Sequence, residues 1–339
     1  MKFSIRKSAV IFSVAIGFVL ILYGSVTGWS VARAGFAEAA LPPDELLFFR
    51  GFTVELQAGF AGSVVDPNWE SLEGGALGIE FGDSSVGSDQ FHTTTPGHKY
   101  VSEVTLSGPL PTGGSGVGTA LHDNGAGKFR LEIDDLPTFS ANVDSIEIGP
   151  LTIDLRDLTT GADFDYRVYG PGDSHLGALV ISSRRGSGSS VSEAYQWWLA
   201  TSQGQQPLKS VSIIALTRDG TDGRRWNFFD CVPVLFHPFG RFSPDPSVAT
   251  EVLNIGCNRV ELAGPGRQAM AAWINGTTEG LPWERNVTVT EISNDGTALA
   301  TYTYVDAFPV RYVFPSFSSS GTGFLYEELT FKPIRLDFN

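Results

Sequence analysis

Residues that commonly bind metals or act as nucleophiles are scarce in this sequence. Among its 339 residues there are only two cysteines, five histidines and two methionines. No Cys-x-x-Cys or His-Glu-x-x-His spacing occurs, so the sequence carries no familiar zinc signature. It also lacks a Gly-x-Ser-x-Gly elbow and a phosphate-binding loop before a helix. The sequence therefore predicts no enzyme activity, no metal site and no cofactor.

Positive charge is sparse as well. The chain has 23 lysines and arginines against 37 aspartates and glutamates, a formal net charge of −14. Four of the positive residues lie in the first 34 positions, which leaves 19 against 37, a formal charge of −18, in the remainder. A surface of this charge repels nucleic acid and anionic lipid. We therefore expect no nucleic-acid partner.

Hydrophobic runs long enough to cross a membrane are absent apart from the N-terminal segment. An uncharged run from Ser8 to Ala32 follows three basic residues and is long enough to span a bilayer of ~30 Å. The small residues around Ala34 are typical of signal-peptidase cleavage. We expect residues 1–34 to be a cleaved signal peptide, with an uncleaved N-terminal anchor as the alternative. Either segment predicts an exported protein in the periplasm, at the cell surface or outside the cell.

Composition favours strands over helices. Glycine (39 residues), proline (19) and phenylalanine (24) are plentiful, and stretches rich in helix-forming residues are few. The sequence therefore predicts a mainly β protein of short strands joined by many turns.

An internal repeat dominates the second half of the chain. Residues 197–262 align without a gap with residues 273–338, and 14 of the 66 aligned positions are identical. Within each copy a Trp-bearing segment predicts a helix, and an Asp-Gly pair predicts a tight hairpin turn between two strands. The identical pairs include Trp197/Trp273, Asp219/Asp295, Gly220/Gly296, Asp230/Asp306, Pro233/Pro309, Glu251/Glu327 and Arg259/Arg335.

The first half repeats more weakly. The strand-like "FTVEL" at 52–56 matches "FRLEI" at 129–133, and "TPGHKYVSEVTLSG" at 95–108 matches "GPGDSHLGALVISS" at 170–183. Two copies of a front half-domain are thus followed along the chain by two copies of a back half-domain, and one of each makes a complete domain. The economical interpretation is nesting, in which an inner domain (128–262) is inserted into an outer domain formed by 48–110 plus 267–338. Exposed loops whose ends lie close together tolerate such insertions. The alternative is that the four halves mix into one large sheet system.

The order of these motifs resembles the tube protein of contractile phage tails and its relative Hcp in type VI secretion. The inner region carries it as "FRLEI", "NVDSIEIGPLTIDL", "GPGDSHLGALVISS", "AYQWWLA", "SIIALTRDG", "WNFFDCVPV" and "ATEVLNIGCNRVEL". The outer regions carry the same order, with "YTYVDAFPV" and "YEELTFKPIRLDF" among the motifs. The resemblance implies two tail-tube-like β-barrels, each with a flanking helix, one nested in the other. It also implies no active site, and self-association into a ring and a stacked hollow tube. Two barrels per chain would allow a trimer with pseudo-sixfold symmetry.

Several residues stand out within this scheme. Pro233 and Pro309 inside strands indicate edge or bulge positions. Asp230 and Asp306 precede them and are interpreted as turn or strand-end groups, with an intersubunit contact as the alternative. All four are candidates for assembly or strand-edge positions.

The two cysteines also stand out. If residues 226–236 and 249–260 form antiparallel neighbours, Cys231 and Cys257 lie opposite each other and can form a disulfide. The equivalent positions of the other copy, Ala307 and Pro333, both lack cysteine. Two buried free thiols are the alternative, and mass spectrometry with and without reductant distinguishes the two.

Rival functions rest on weaker patterns. His92 and His98 in one loop would suit at most a weak metal site. Asp134, Asp135, Asp154 and Asp157 could supply acid and base groups to a glycosidase. Trp69 and Trp283, in predicted loops, could stack on sugars. We therefore expect an exported, self-assembling structural protein, with an exported monomeric β-rich binding module (for carbohydrate or as a surface adhesin) as the alternative.

Overall fold

The computed structural model describes thirteen stretches of the chain. The predicted signal segment, residues 1–34, lies outside them. The described residues are 49–57, 63–66, 69–84, 93–110, 122–124, 129–160, 165–184, 192–205, 207–217, 220–238, 250–281, 284–320 and 322–338.

These residues form strands with three helices between them. The helices are α1 (Pro137–Ala141), α2 (Glu193–Ser202) and α3 (Gln268–Thr278). The strands are β1 (Phe49–Gln57), β2 (Ser63–Asp66), β3 (Ser71–Gly74), β4 (Leu77–Ser84), β5 (Thr93–Val101), β6 (Val104–Pro109), β7 (His122–Asn124), β8 (Phe129–Ile133), β9 (Val143–Ile148), β10 (Leu151–Asp157), β11 (Tyr169–Leu176), β12 (Leu179–Arg184), β13 (Lys209–Leu216), β14 (Asp222–His237), β15 (Thr250–Gly256), β16 (Arg259–Ala263), β17 (Arg285–Ser293), β18 (Ala298–Val313), β19 (Phe317–Ser318), β20 (Thr322–Phe324), β21 (Tyr326–Lys332) and β22 (Arg335–Phe338).

The mainly β class predicted from the sequence is confirmed. Helices α2 and α3 form where the Trp-bearing segments predicted them, and each buries its tryptophan, Trp197 or Trp273. The short helix α1 was not predicted, because its five residues give too little periodicity to detect. Among the described residues, no helix has the length and apolar character needed to cross a membrane.

Strand pairing separates most of the described chain into two groups. We call residues 49–110 and 267–338 the outer segments, and residues 129–263 the inner segment. Strands of the outer segments follow the order β2-β1-β17-β18-β21-β6-β3, with β22 beside β18. Strands of the inner segment follow the order β9-β12-β15-β14-β13-β8, with β16 beside β14. The hairpins β4–β5 and β10–β11 belong to the outer and inner groups in sequence.

The two groups share their registers. Ile213 pairs with Trp226 between β13 and β14, and their counterparts Val289 and Tyr302 pair between β17 and β18. The same correspondence relates β14–β15 to β18–β21, and β14–β16 to β18–β22. To within one or two residues of offset, it also relates β8–β13 to β1–β17, β12–β15 to β6–β21, and β9–β12 to β3–β6.

Each group is organised around one long bent strand. The first half of β14 pairs with β13 and β16, whereas its second half pairs with β15. The strand β18 behaves in the same way toward β17, β22 and β21. At the bend, Asp230 and Asp306 have positive φ values of 53° and 51°, and the register with the preceding strand shifts there. A residue in the left-handed region bends a strand at a bulge, so each aspartate sits at the corner where the strand passes from one sheet to the other.

Pro233 and Pro309 follow these corners. Both are buried, and they pair with Ile255 and Phe331. The register shifts again directly after each proline. A second bulge beside proline is compatible with its missing N–H, because that residue cannot continue a regular ladder.

Asp306 provides a test of the corner. Replacing it with valine is expected to lower the free energy of unfolding by about 1–2 kcal/mol, because a β-branched residue is strained at positive φ. Glycine and asparagine tolerate this conformation, so Asp306→Gly and Asp306→Asn should stay within a few tenths of a kcal/mol of the original. Urea unfolding of the three variants measures this. If the valine and asparagine variants lost equal free energy of unfolding, the stabilising group would instead be the carboxylate of Asp306.

Candidate functional site

The two groups of strands meet at a junction built partly from strand pairing. Leu151 and Thr152 at the start of β10 pair with Tyr312 and Arg311 on β18. Because of this pairing, β10 and β11 join eight strands of the outer segments in one ten-stranded sheet. On the other side, β19 of the outer segments pairs with β9 of the inner segment. Each group therefore extends a sheet of the other.

Aromatic side chains fill the space beneath these pairings. The ring of Phe317, from the outer segments, lies 5.5 Å from Trp226 and 5.4 Å from Phe129 of the inner segment. Phe314 lies 5.8 Å from Phe228, again across the junction. Trp226, Phe228, Phe314 and Phe317 are all buried. The junction is therefore packed as a protein core, since edge-to-face and tilted aromatic pairs add to the apolar area that is removed from water.

A buried polar chain crosses the same region. Trp226 Nε1 donates to the Tyr312 hydroxyl at 3.2 Å, and this hydroxyl donates to Glu327. Arg267 Nη1 donates to the other Glu327 oxygen at 2.6 Å, with both side chains fully buried. The Arg267 guanidinium lies 3.5 Å from the centre of the Trp69 ring. Buried ions are tolerated only with close partners. Arg267, Glu327 and Trp69 all lie in the outer segments and hold the Tyr312 hydroxyl in place, and the bond from Trp226 to that hydroxyl joins the inner segment to them.

Burial also sets the protonation of Tyr312. Loss of solvation, helped by the nearby Glu327 charge, raises the pKa of Tyr312 well above its ordinary value. The hydroxyl, which is protonated at neutral pH even at the ordinary tyrosine pKa, therefore also stays protonated in alkaline solution and donates to the carboxylate.

Two further contacts tie the groups together at the rim. The side-chain amide of Asn275 on α3 bonds both the N–H and the carbonyl of Leu262 on β16, each at 2.9 Å. Arg167, between β10 and β11, bonds Glu80 on β4 at 2.6 Å. The first contact satisfies a strand edge that would otherwise be open.

The cysteines lie in the inner segment. Cys231 on β14 and Cys257 after β15 are joined by a disulfide, and Val232 pairs with Gly256 beside them. Cys231 is completely buried. The disulfide links the corner of the bent strand to its neighbour.

Trp69 and the four aspartates considered for rival functions make contacts within the described part of the chain. Trp69 lies in a loop, as predicted, but it is only 8% exposed because it packs beneath Arg267, which disfavours stacking on a sugar. Trp283 and His92 lie outside the described residues. In the part of the chain that is described, no three His, Cys, Asp or Glu side chains come together as a metal site.

Each of the four carboxylates considered for a glycosidase makes an ion pair or a hydrogen bond. Asp135 pairs with Lys209 at 3.0 Å, and Asp134 accepts from the Ser210 backbone at 2.8 Å. Asp157 pairs with Arg167 at 2.6 Å. Asp154 bonds exposed His175. The pKa of Asp157 is lowered, chiefly by hydrogen bonds from Thr159, which disfavours a role as a proton donor.

Comparison with known proteins gives matches only among solved structures. No protein-family model matches this sequence, and no curated protein matches it. The tube-terminating cap of the anti-feeding prophage is 16% identical with a TM-score of 0.35, covering 44% of this chain and 97% of the cap chain. A chain of the sheath–tube complex of the PVC extracellular contractile injection system is 19% identical, with a TM-score of 0.31 and coverage of 42% and 91%.

Hcp1 from Flavobacterium johnsoniae is 15% identical, with a TM-score of 0.24, covering 40% of this chain and 95% of that protein. These solved structures are tube, cap and Hcp1 proteins, the kinds of protein that the order of the sequence motifs resembles. The similarity to these structures concerns the fold alone.

Proposed function

We propose that this chain is an exported, non-enzymatic structural protein made of two nested tube-like units. The outer unit consists of residues 48–110 plus 267–338, and the inner unit of residues 128–262. Chains associate through these units into a ring that stacks into a hollow tube. Two units per chain suit a trimer of pseudo-sixfold symmetry. The matching registers of the two groups support the duplication, and the pairing of strands within each group supports the nesting.

The observation that carries the proposal is the junction itself. Within one chain, two units of similar strand order are held by mutual strand extension, a buried aromatic cluster and a buried hydrogen bond from Trp226 to Tyr312. A ring of such units needs the same kind of contact between chains. Strand addition at an edge supplies directed backbone hydrogen bonds, and aromatic packing supplies apolar burial.

Charge and chemistry support the same function. An acidic chain at −14 does not favour a nucleic-acid cargo. The carboxylates examined as acid–base candidates are held in ion pairs or backbone contacts. Because these carboxylates are held in such contacts, assembly is better supported than catalysis as the function.

Electron microscopy of the purified chain without residues 1–34 tests the proposal. We expect rings in negative stain, and a mass by light scattering that rises in steps of one chain up to a closed oligomer. A single monomeric mass across a hundredfold range of concentration would contradict assembly.

The alternative, a monomeric binding module, is favoured by one cavity. It has a volume of about 740 Å³ and is lined on one side by Phe52, Tyr302, Tyr304 and Phe338. Burial raises the pKa of Tyr304 to about 12, so the hydroxyl in this cavity stays neutral. Aromatic walls suit a sugar ring, and glycan-array binding by a monomeric chain would support this second function.

A further inference from the structure

The pairing of β10 with β18 covers apolar residues whose counterparts in the other repeat are uncovered. On β10, Leu151 is 4% exposed and Ile153 is 5% exposed. On β4, the counterpart strand, Leu77 is 39% exposed and Ile79 is 48% exposed. The counterpart relation follows from the hairpin registers, since Leu151 pairs with Leu176 as Leu77 pairs with Val101.

The strand with which β10 pairs shows the same contrast in side-chain exposure. Val310 on β18, where β10 docks, is 6% exposed, whereas its counterpart Val234 on β14 is 64% exposed. The next residue, Leu235, is 42% exposed. In the described part of the chain, the second half of β14 pairs with β15 alone. Among the described strands, none pairs with the edge of β14 that corresponds to the docking edge of β18.

The second strand pairing of the junction also has an open counterpart. In the inner segment, β9 is covered at its edge by β19, through Ile146 and Phe317. The counterpart of β9 is β3, which pairs with β6 on one side and ends the sheet among the described strands. Beside β3 lies the 740 Å³ cavity, where Phe52 and Tyr302 stand at the positions that Phe129 and Trp226 occupy beneath Phe317.

We propose that a second copy of this chain occupies these open surfaces. The end of β14 in one copy, at Val234 and Leu235, pairs with the start of β4 in the next copy, at Leu77 and Ile79. This contact repeats between chains the pairing that β18 and β10 make within one chain. The inference rests on the proposed function and specifies its interface.

The two surfaces differ, so the contact is head-to-tail. One surface lies on the inner segment and the other on the outer segments, and one chain presents both. A head-to-tail contact of this kind generates a closed ring when the rotation per chain divides a full turn, and an open filament otherwise. The rotation per chain combines two rotations, one between the two units of a chain at the internal junction and one between neighbouring chains at the proposed contact.

Two charge substitutions test the contact separately from assembly itself. Leu235→Glu places a carboxylate on the β14 surface, and Leu77→Glu places one on the β4 surface. Each should raise the dissociation constant for self-association about 100-fold or more, because an unpaired charge would be buried. Leu281→Glu is the matched control, since Leu281 is 53% exposed and lies outside both strands. Sedimentation velocity over a concentration series measures the constants, and circular dichroism checks the fold.

Mixing the two variants gives the decisive result. Each variant retains one intact surface, so the mixture should form 1:1 dimers that grow no further, while each variant alone stays monomeric. Val234→Glu and Ile79→Glu replace the first pair if either member fails to fold. Association of the variants equal to that of the original chain would overturn this interface and leave the proposed function standing. Monomeric variants that form no mixed dimer would overturn the head-to-tail assignment. An original chain that never associates would overturn both.

Discussion

Replacing Glu327 with alanine is expected to lower the free energy of unfolding by about 3–5 kcal/mol. Glu327 accepts hydrogen bonds from Arg267 and Tyr312, and both its side chain and that of Arg267 are completely buried. Removing the carboxylate keeps the guanidinium buried without its counter-charge, and that desolvation cost is the main part of the loss. For a chain of this size the melting temperature should fall by roughly 10 °C.

The neighbouring glutamate provides the control. Glu328 pairs with Arg311, but these side chains are 34% and 45% exposed. Glu328→Ala should therefore cost under about 1 kcal/mol, as exposed ion pairs usually do. Calorimetry on both variants compares them under the same conditions. A Glu327→Ala protein as stable as Glu328→Ala would show that the buried chain of Trp226, Tyr312, Glu327 and Arg267 contributes little.

Replacing Phe317 with alanine is expected to cost about 3–5 kcal/mol and to uncouple the two groups of strands. Phe317 is 2% exposed and packs against Trp226 and Phe129 across the junction. Its loss opens a cavity between the groups and weakens the β9–β19 pairing. The original chain should unfold in one calorimetric transition, and the variant should show a broadened or split transition.

An exposed apolar residue separates this effect from simple loss of side-chain area. Leu208 is 55% exposed in the inner segment, so Leu208→Ala should change stability by less than about 0.5 kcal/mol and leave the transition single. A single sharp transition for Phe317→Ala would mean that the two groups remain coupled through other contacts.

The local structure could be predicted because its signals are local. The Asp-Gly pairs gave the hairpin turns, where Gly220 and Gly296 have φ values of +77° and +87°. The Trp-bearing segments gave α2 and α3, and strand spacing placed Cys231 opposite Cys257. Each of these inferences needs only the neighbours of a residue along the chain or one hairpin register.

The buried contacts between distant parts of the chain could not be predicted in the same way. Arg267 and Glu327 are charged types that are usually exposed, and nothing nearby in sequence indicates that they bury each other. The burial of Trp69 was missed for the same reason, since its partner Arg267 is 198 positions further along the chain. A repeat shows which residues are equivalent, but it does not show which surface of one copy contacts the other. The aligned aspartates likewise gave no sign that they take positive φ at a corner.

The internal junction has a kinetic consequence. Two units of one polypeptide meet at an effective concentration that is set by the linkers between them and not by the concentration of the protein. The contact between the two units therefore forms at any dilution, whereas the proposed contacts between chains depend on the protein concentration. In the ring proposed above, the number of units is then even, and three chains supply the six units of the proposed trimer.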